Sequence, residues 1–258
     1  VAEAAQNGPA IVQDREMKDR SIWIGFDPRE ASAFAVCRNS LRQHLTQAIP
    51  IKGVVLRRLQ EQGLYTRPIE WRKSAVDAPI MWDPISDAPM STQHANARFL
   101  VPHLARRGWA LFCDGDMLFR DNVARLFDLL DDRKAVYCVK HEHLVASPAI
   151  KMDGQAQTKY HRKNWSSFII FNCDHPANEA LTLEMVNTLP GRDLHRLCWL
   201  DDDLIGGLVP EWNHLVGISE PSREPKCVHF TEGVPDMPGY EGVPFADEWR
   251  RELERWGE

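Results

Sequence analysis

The stretch Trp109-Ala110-Leu111-Phe112-Cys113-Asp114-Gly115-Asp116 decides the reading of this chain. Its unbroken apolar run, with neither a helical nor an alternating period, reads as a short buried strand. Two carboxylates then follow at i and i+2 about a glycine, where the strand meets solvent. Two acids so placed repel each other unless a proton or a cation separates them. The natural partner is a hard divalent metal, which takes oxygen ligands and often carries a substrate's phosphates. A solvated Asp-Gly turn is the plain alternative. The apolar pair Leu118-Phe119, close behind the acids, makes a simple hairpin the poorer account.

Outward from this strand the chain alternates. Residues 21–26 form another apolar run, ending at Asp27-Pro28-Arg29-Glu30. Ala33, Val36, Cys37, Leu41 and Leu45 recur at helical spacing, so a helix is predicted over 31–45, with Pro28 near its start and Asp27 placed to cap. Residues 51–56, rich in β-branched side chains, read as a strand. Strand, helix, strand is the unit of a parallel sheet with nucleotide chemistry at the strand C-terminal ends. Further on, Ser91-Thr92 is predicted to cap a helix running to about Arg107. Helices are expected near 123–130 and 178–189, strands at 135–140, 167–172 and 227–230, and an apolar helix start after the aspartates at 201–203. Phe245, Trp249, Leu253 and Trp256 mark a surface helix docked by one face. Residues 60–90 and 141–164 lack periodicity and are expected to form lids or acceptor walls. The pattern is α/β, with a Rossmann-like, mostly parallel central sheet flanked by helices. It reads as one domain over 21–258 after a polar lead-in at 1–20. A nucleotide-binding half lies at about 21–120, an acceptor half at about 121–245 and the closing helix at about 245–256.

Composition narrows the class. The chain has 258 residues, 43% hydrophobic and 26% charged, ordinary for a globular protein with a large core. Its net charge of −6 gives no global bias toward nucleic acid. No apolar stretch approaches the ~20 residues needed to span a bilayer, and the first residues lack a signal-peptide shape. The six cysteines are scattered without a CxxC pair. They are read as reduced core thiols of a cytoplasmic protein. Oligomeric state is not legible.

Other residues offer chemistry, each beside a plainer role. Asp201-Asp202-Asp203 could cap and complement a helix start; three together suggest that at least one faces a substrate. His229, on a short apolar strand, could be merely packed or could be a ligand. Arg98 could snorkel or could reach a phosphate, which a guanidinium fork suits. The basic stretch 140–163 reads as a solvated loop or as cover for an anionic ligand; it lacks the pattern of a nucleic-acid module.

Four stretches together resemble the retaining glycosyltransferases of family 8, the glycogenin and bacterial galactosyltransferase group, which have a GT-A fold. They are Phe26-Asp27 at the end of the first strand; 91–116, STQHANARFLVPHLARRGWALFCDGD; 199–213, WLDDDLIGGLVPEWN; and 227–230, CVHF. The resemblance runs from about Ser21 to Phe230, in motif order rather than close identity. It implies transfer of a sugar from a nucleoside-diphosphate sugar, expected to be a UDP-sugar, to a carbohydrate or other acceptor hydroxyl, with retention. Asp114, Asp116 and His229 would hold Mn²⁺, with Mg²⁺ as the alternative, and Asp114 would approach the ribose. Phe26 and Asp27 would face the nucleoside, Arg98 the diphosphate or sugar, and Asp201 the donor-sugar hydroxyls.

The chain departs from that pattern in three places. Asp202 stands where the family has an amide. Trp165-Ser166-Ser167 replaces a strand beginning Asn-x-Gly. The late motif reads His229-Phe230-Thr231-Glu232-Gly233 and lacks the family's following lysine, for which Arg29 or a residue of the basic stretch is a candidate substitute. The acid at 202 motivates a role as nucleophile or as stabiliser of an oxocarbenium-like centre. Asp-x-Asp also serves phosphohydrolases. In the haloacid dehalogenase type, however, the pair follows the first strand, whereas here it lies mid-chain. A non-catalytic sugar-nucleotide-binding protein is the remaining alternative.

Overall fold

The computed structural model describes residues 19–74, 77–141, 162, 164–221 and 224–255. The chain opens with strand β1 (Arg20–Phe26), helix α1 (Ala31–His44), strand β2 (Ile51–Val55) and a short helix α2 (Leu56–Glu61). Asp27 caps the turn into α1, its carboxylate accepting from the Arg29 N–H. Three strands follow, β3 (Glu70–Lys73), β4 (Pro79–Asp83) and β5 (Ala88–Met90). They pair as an antiparallel meander. The expectation of irregular structure over 60–90 is therefore corrected: prolines punctuate the run, but the strands between them are short enough to escape a periodicity test.

Next come α3 (Val101–Ala105), β6 (Trp109–Cys113), β7 (Met117–Phe119), α4 (Ala124–Phe127), β8 (Val136–Val139) and β9 (Phe168–Asn172). The helix expected from Ser91 is shorter than read. Residues 97–100 form a tighter 3₁₀ turn, and α3 begins only at Val101, with Pro102 near its start. A proline is tolerated in a first helical turn but not inside a longer helix. The chain closes with α5 (Leu183–Thr188), α6 (Gly191–His195), β10 (Ile205–Leu208), β11 (His214–Leu215), β12 (Cys227–His229) and α7 (Ala246–Glu254). The aspartates at 201–203 thus lead into a strand, β10, and not an apolar helix. Trp249 of α7 is buried, as its spacing required; Trp256 and most of 141–164 lie outside the described residues.

The central sheet has the order β10-β8-β9-β6-β1-β2. β9 pairs antiparallel with both β6 and β8, while the remaining pairings are parallel. Both faces are covered, which explains why β6 reads as continuous apolar sequence. Ala110 and Phe112 point into one core cluster with Trp23, Ile169 and Phe171. Leu111 and Cys113 point into the other with Ile22, Ile24, Phe168 and Ile170. A second sheet, β11-β12-β7, takes over where β6 stops. Its antiparallel register sets His229 opposite Met117.

Candidate active site

The Asp-Gly-Asp turn joins the two sheets. The Asp114 N–H donates to the Ser167 carbonyl at 2.9 Å, and the Phe230 N–H donates to the Asp116 carbonyl at 3.0 Å. These bonds bring the late histidine onto the early acids. One oxygen from each of Asp114 and Asp116 and one ring nitrogen of His229 lie within 4.8 Å of one another. His229 Nε2 is 3.3 Å from Asp116 Oδ1, and that oxygen is buried without a hydrogen-bond partner. Two carboxylates and an imidazole form a donor set for a divalent transition metal, and the orphaned buried oxygen gives such an ion a reason to bind. The residues fit a divalent metal.

Asp114 is held from its other side. Its Oδ1 lies 2.9 Å from Arg98 Nη2 and 3.2 Å from His94 Nε2. Burial would raise its pKa, but Arg98 and His94 outweigh that and hold its carboxyl well below the usual range. Arg98 is itself fixed: Nε donates to the Ala95 carbonyl and Nη1 to the Ser166 carbonyl, both at 2.9 Å. Its guanidinium carbon lies 4.9 Å from the centre of the Phe112 ring. The donors of Arg98 are thus engaged by Asp114 and main-chain carbonyls, and toward a ligand it offers fixed positive charge.

These groups open into a cavity of about 430 Å³, which Glu30, Asp83, Ser166, His195 and Thr231 also help to line. Burial, and next the charge of Asp116, push the Glu30 carboxyl up to about 7. His195 Nδ1 lies 2.7 Å from Ser166 Oγ; burial, with Arg98 next, pushes its imidazole down to about 3. A second groove, of about 560 Å³, runs past Arg120, Asp121, Lys226 and Glu248. Its charges are already matched, Arg120 to Glu248 at 2.8 Å and Lys226 to Asp121 at 2.7 Å, so it lacks the unsatisfied atoms of the acidic cavity.

Several expected residues stand elsewhere. Asp27 is saturated: it accepts from the Arg29 N–H and Nε on one oxygen, and from Arg29 Nη2 and the Gln93 N–H on the other. Those four bonds use a carboxylate's lone pairs, so Asp27 straps the end of β1 to the 91–93 segment rather than offering a free acceptor. Arg29 is its partner in that strap and also donates to the Ser91 carbonyl. Phe26 packs edge-on against Phe34 with ring centres 5.1 Å apart. None of these three lines the cavity, whereas Glu30 does. Asp201 and Asp202 are exposed and also lie outside the cavity lining. Asp202 pairs with Arg162. The nucleophile role expected of Asp202 would need its carboxylate released from Arg162 and turned toward a bound donor. His94, Glu30 and His195 were not anticipated, while Ser166 was marked only as part of the departure at 165–167. Only His94 left a signal, four residues before Arg98, the spacing that puts two side chains on one helical face.

The architecture and the site define a class: a mostly parallel α/β sheet with an Asp-x-Asp turn at the end of a central strand is the GT-A fold of glycosyltransferases. The solved structures agree. The chain is similar to the WbbM bifunctional glycosyltransferase with a TM-score of 0.59 and 16% identity, covering 92% of this chain and 50% of that one. It is similar to the glycosyltransferase GlyE of Streptococcus pneumoniae TIGR4 at 0.57 and 10%, covering 91% and 61%. An LgtC active-site mutant gives 0.57 and 12%, covering 91% and 95%. This chain thus spans about half of WbbM and under two thirds of GlyE. No family model matches the sequence. It is 37% identical over 261 residues to Protein CDI of Arabidopsis thaliana, covering 99% of this chain and 92% of that protein. The chain belongs to the family of Protein CDI.

Proposed function

We propose that the protein is a metal-dependent glycosyltransferase that moves a sugar from a nucleoside-diphosphate sugar, with UDP as the expected carrier, to an acceptor hydroxyl. The observation that carries this reading is the convergence of Asp114, Asp116 and His229 in one cavity, with Arg98 fixed beside them. LgtC, of the same fold, has been solved as a galactosyltransferase with donor and acceptor sugar analogs. Asp114, Asp116 and His229 would hold the ion, and the imidazole in the set favours Mn²⁺ over Mg²⁺. When bound, such an ion supplies Lewis-acid stabilisation of the negative charge on a departing diphosphate.

The chain's own residues do the rest. Arg98 adds a preorganised positive charge that needs no rearrangement during the reaction. His94 and Arg98 keep Asp114 ionised and oriented. The walls from Asp83 to Thr92 and at Ser166 and His195 exclude water, the competing acceptor. Retention is proposed from the likeness of fold to the family 8 enzymes. The proposed setting is cytoplasmic; no helix among the described residues is long and apolar enough to cross a membrane.

The test is a thermal-shift screen of nucleotide sugars with and without Mn²⁺, followed by an assay of sugar transfer. A Mn²⁺-dependent shift selective for one base and sugar, with transfer abolished by EDTA, is expected by linkage. Full transfer activity in EDTA would remove the metal from the reading, and no shift with any nucleotide sugar would remove the function.

A further inference from the structure

Behind His229 runs a hydrogen-bond chain that the metal reading leaves unused. Asn213 is fully buried at the end of the 3₁₀ turn Pro210–Asn213. Its Oδ1 lies 2.9 Å from His229 Nδ1. Its Nδ2 donates to Ser167 Oγ at 2.9 Å and points toward the Asn164 carbonyl at 3.5 Å. Ser167 Oγ in turn donates its one proton to the Asn164 carbonyl at 2.7 Å. Toward Asn213, Ser167 can therefore only accept. That requirement sets the amide: nitrogen to Ser167, oxygen to His229.

The amide oxygen has no proton to give, so the proton between the two side chains belongs to His229 Nδ1. In a neutral imidazole this leaves Nε2 as a bare lone pair. Nε2 is the atom 3.3 Å from Asp116 Oδ1, itself an acceptor buried without a partner. Two lone pairs facing each other in a low-dielectric site gain nothing until a cation lies between them. If the amide were turned over, Nδ2 would face Nδ1, the ring proton would move to Nε2, and His229 would hydrogen-bond Asp116 directly. The site would then close on itself.

We propose that Asn213, backed by Ser167, is a positioning residue that holds His229 in the Nδ1–H tautomer and so keeps Nε2 and Asp116 open as a pair of metal ligands. This rests on the metal reading of the site for its consequence but not for its tautomer. Outer partners of this kind usually change metal affinity by about 10–100-fold.

The test measures both. NMR of the imidazole nitrogens in metal-free, histidine-labelled protein, above the imidazole titration, is expected to show Nδ1–H at His229. Titration with Mn²⁺ alone, followed by electron paramagnetic resonance, is expected to show about 10–100-fold weaker binding in Asn213→Leu. That variant's ring proton should move to Nε2. Asn213→Asp keeps an acceptor opposite Nδ1, so it should keep the tautomer and bind Mn²⁺ within about tenfold of the parent. It also serves if the leucine variant does not fold. An Nε2–H tautomer in the parent protein overturns the inference, as does unchanged Mn²⁺ affinity in a folded Asn213→Leu protein. A parent protein with the Nδ1–H tautomer that binds no Mn²⁺ upholds the role of Asn213 and overturns the metal reading instead.

Discussion

Gly115 is a glycine because of what lies above it. Its φ is not in the left-handed region, yet a Cβ there would sit 2.6 Å from the Gly25 carbonyl oxygen. Backbone against backbone cannot yield as a side-chain tip can. Gly115→Ala is expected to cost about 1–3 kcal/mol, the range for overpacking, and to weaken Mn²⁺ binding by moving both acids; urea denaturation and a metal titration read the two effects. A fully stable variant with parental metal affinity would refute the close-approach argument. Asp116→Ala removes the orphaned ligand and should abolish Mn²⁺-dependent donor binding in the same thermal-shift format while leaving the fold intact. His195 carries a pH prediction. Its folded pKa is about 3 against 6.5 for the free side chain. Between those values the unfolded chain binds a proton that the folded chain does not. Its contribution is therefore fully present above about pH 6.5 and is lost as pH falls toward about 3, by at most ~1.4 kcal/mol per pH unit. His195→Gln should flatten the fall of Tm with acidification over that window; an unchanged slope would deny His195 the role.

Among the elements, β6 ties the core to the site. Phe112 is fully buried, packs within the core that covers one face of the sheet, and lies under Arg98. Phe112→Ala should cost about 3–5 kcal/mol through loss of transfer energy and the cavity left behind. It should also loosen the guanidinium that orients Asp114, so nucleotide-sugar affinity should fall further than in a core variant of equal cost away from Arg98, such as Phe171→Ala. Elements with a long, uniform apolar signal were legible: β1, α1, β6 and β9 stand close to where their patterns put them. The meander β3–β5 was not, because strands of three to five residues are shorter than the windows in which a period declares itself. β10 was misread because three aspartates resemble a helix cap, and only pairing with β8 makes Ile205–Leu208 a strand.

Across the whole molecule, one buried ion pair sets how the cavity wall is held. Arg67 and Asp83 meet with both side chains almost wholly buried. Arg67 also donates to the Val186 and Leu189 carbonyls, while the Asn187 side chain accepts from the Thr66 and Arg67 N–H groups. The 60–90 segment is thereby fastened to α5, which favours the acceptor wall of its two expected roles over the lid. Removing one partner leaves a buried charge, so Arg67→Ala should cost about 3–5 kcal/mol. Protease should then cut within 60–90, which the parent protein should resist with or without nucleotide; ready cleavage of the parent there would restore the lid.

The amino-acid sequence by itself determined the main strands of the sheet and the acids at the end of β6. Apolar runs and helical spacing act locally, and a strand buried on both faces must be apolar throughout. It also marked Asp114, Asp116, Arg98 and His229 as chemistry-bearing residues. Only the tertiary structure decided which of the marked residues meet. Asp27 and Asp202 carry the same carboxylate as Asp116, yet one is saturated by four donors and the other is turned to solvent beside Arg162. Whether a charged group is free for a ligand depends on the donors that long-range packing brings to it, and no local pattern records those.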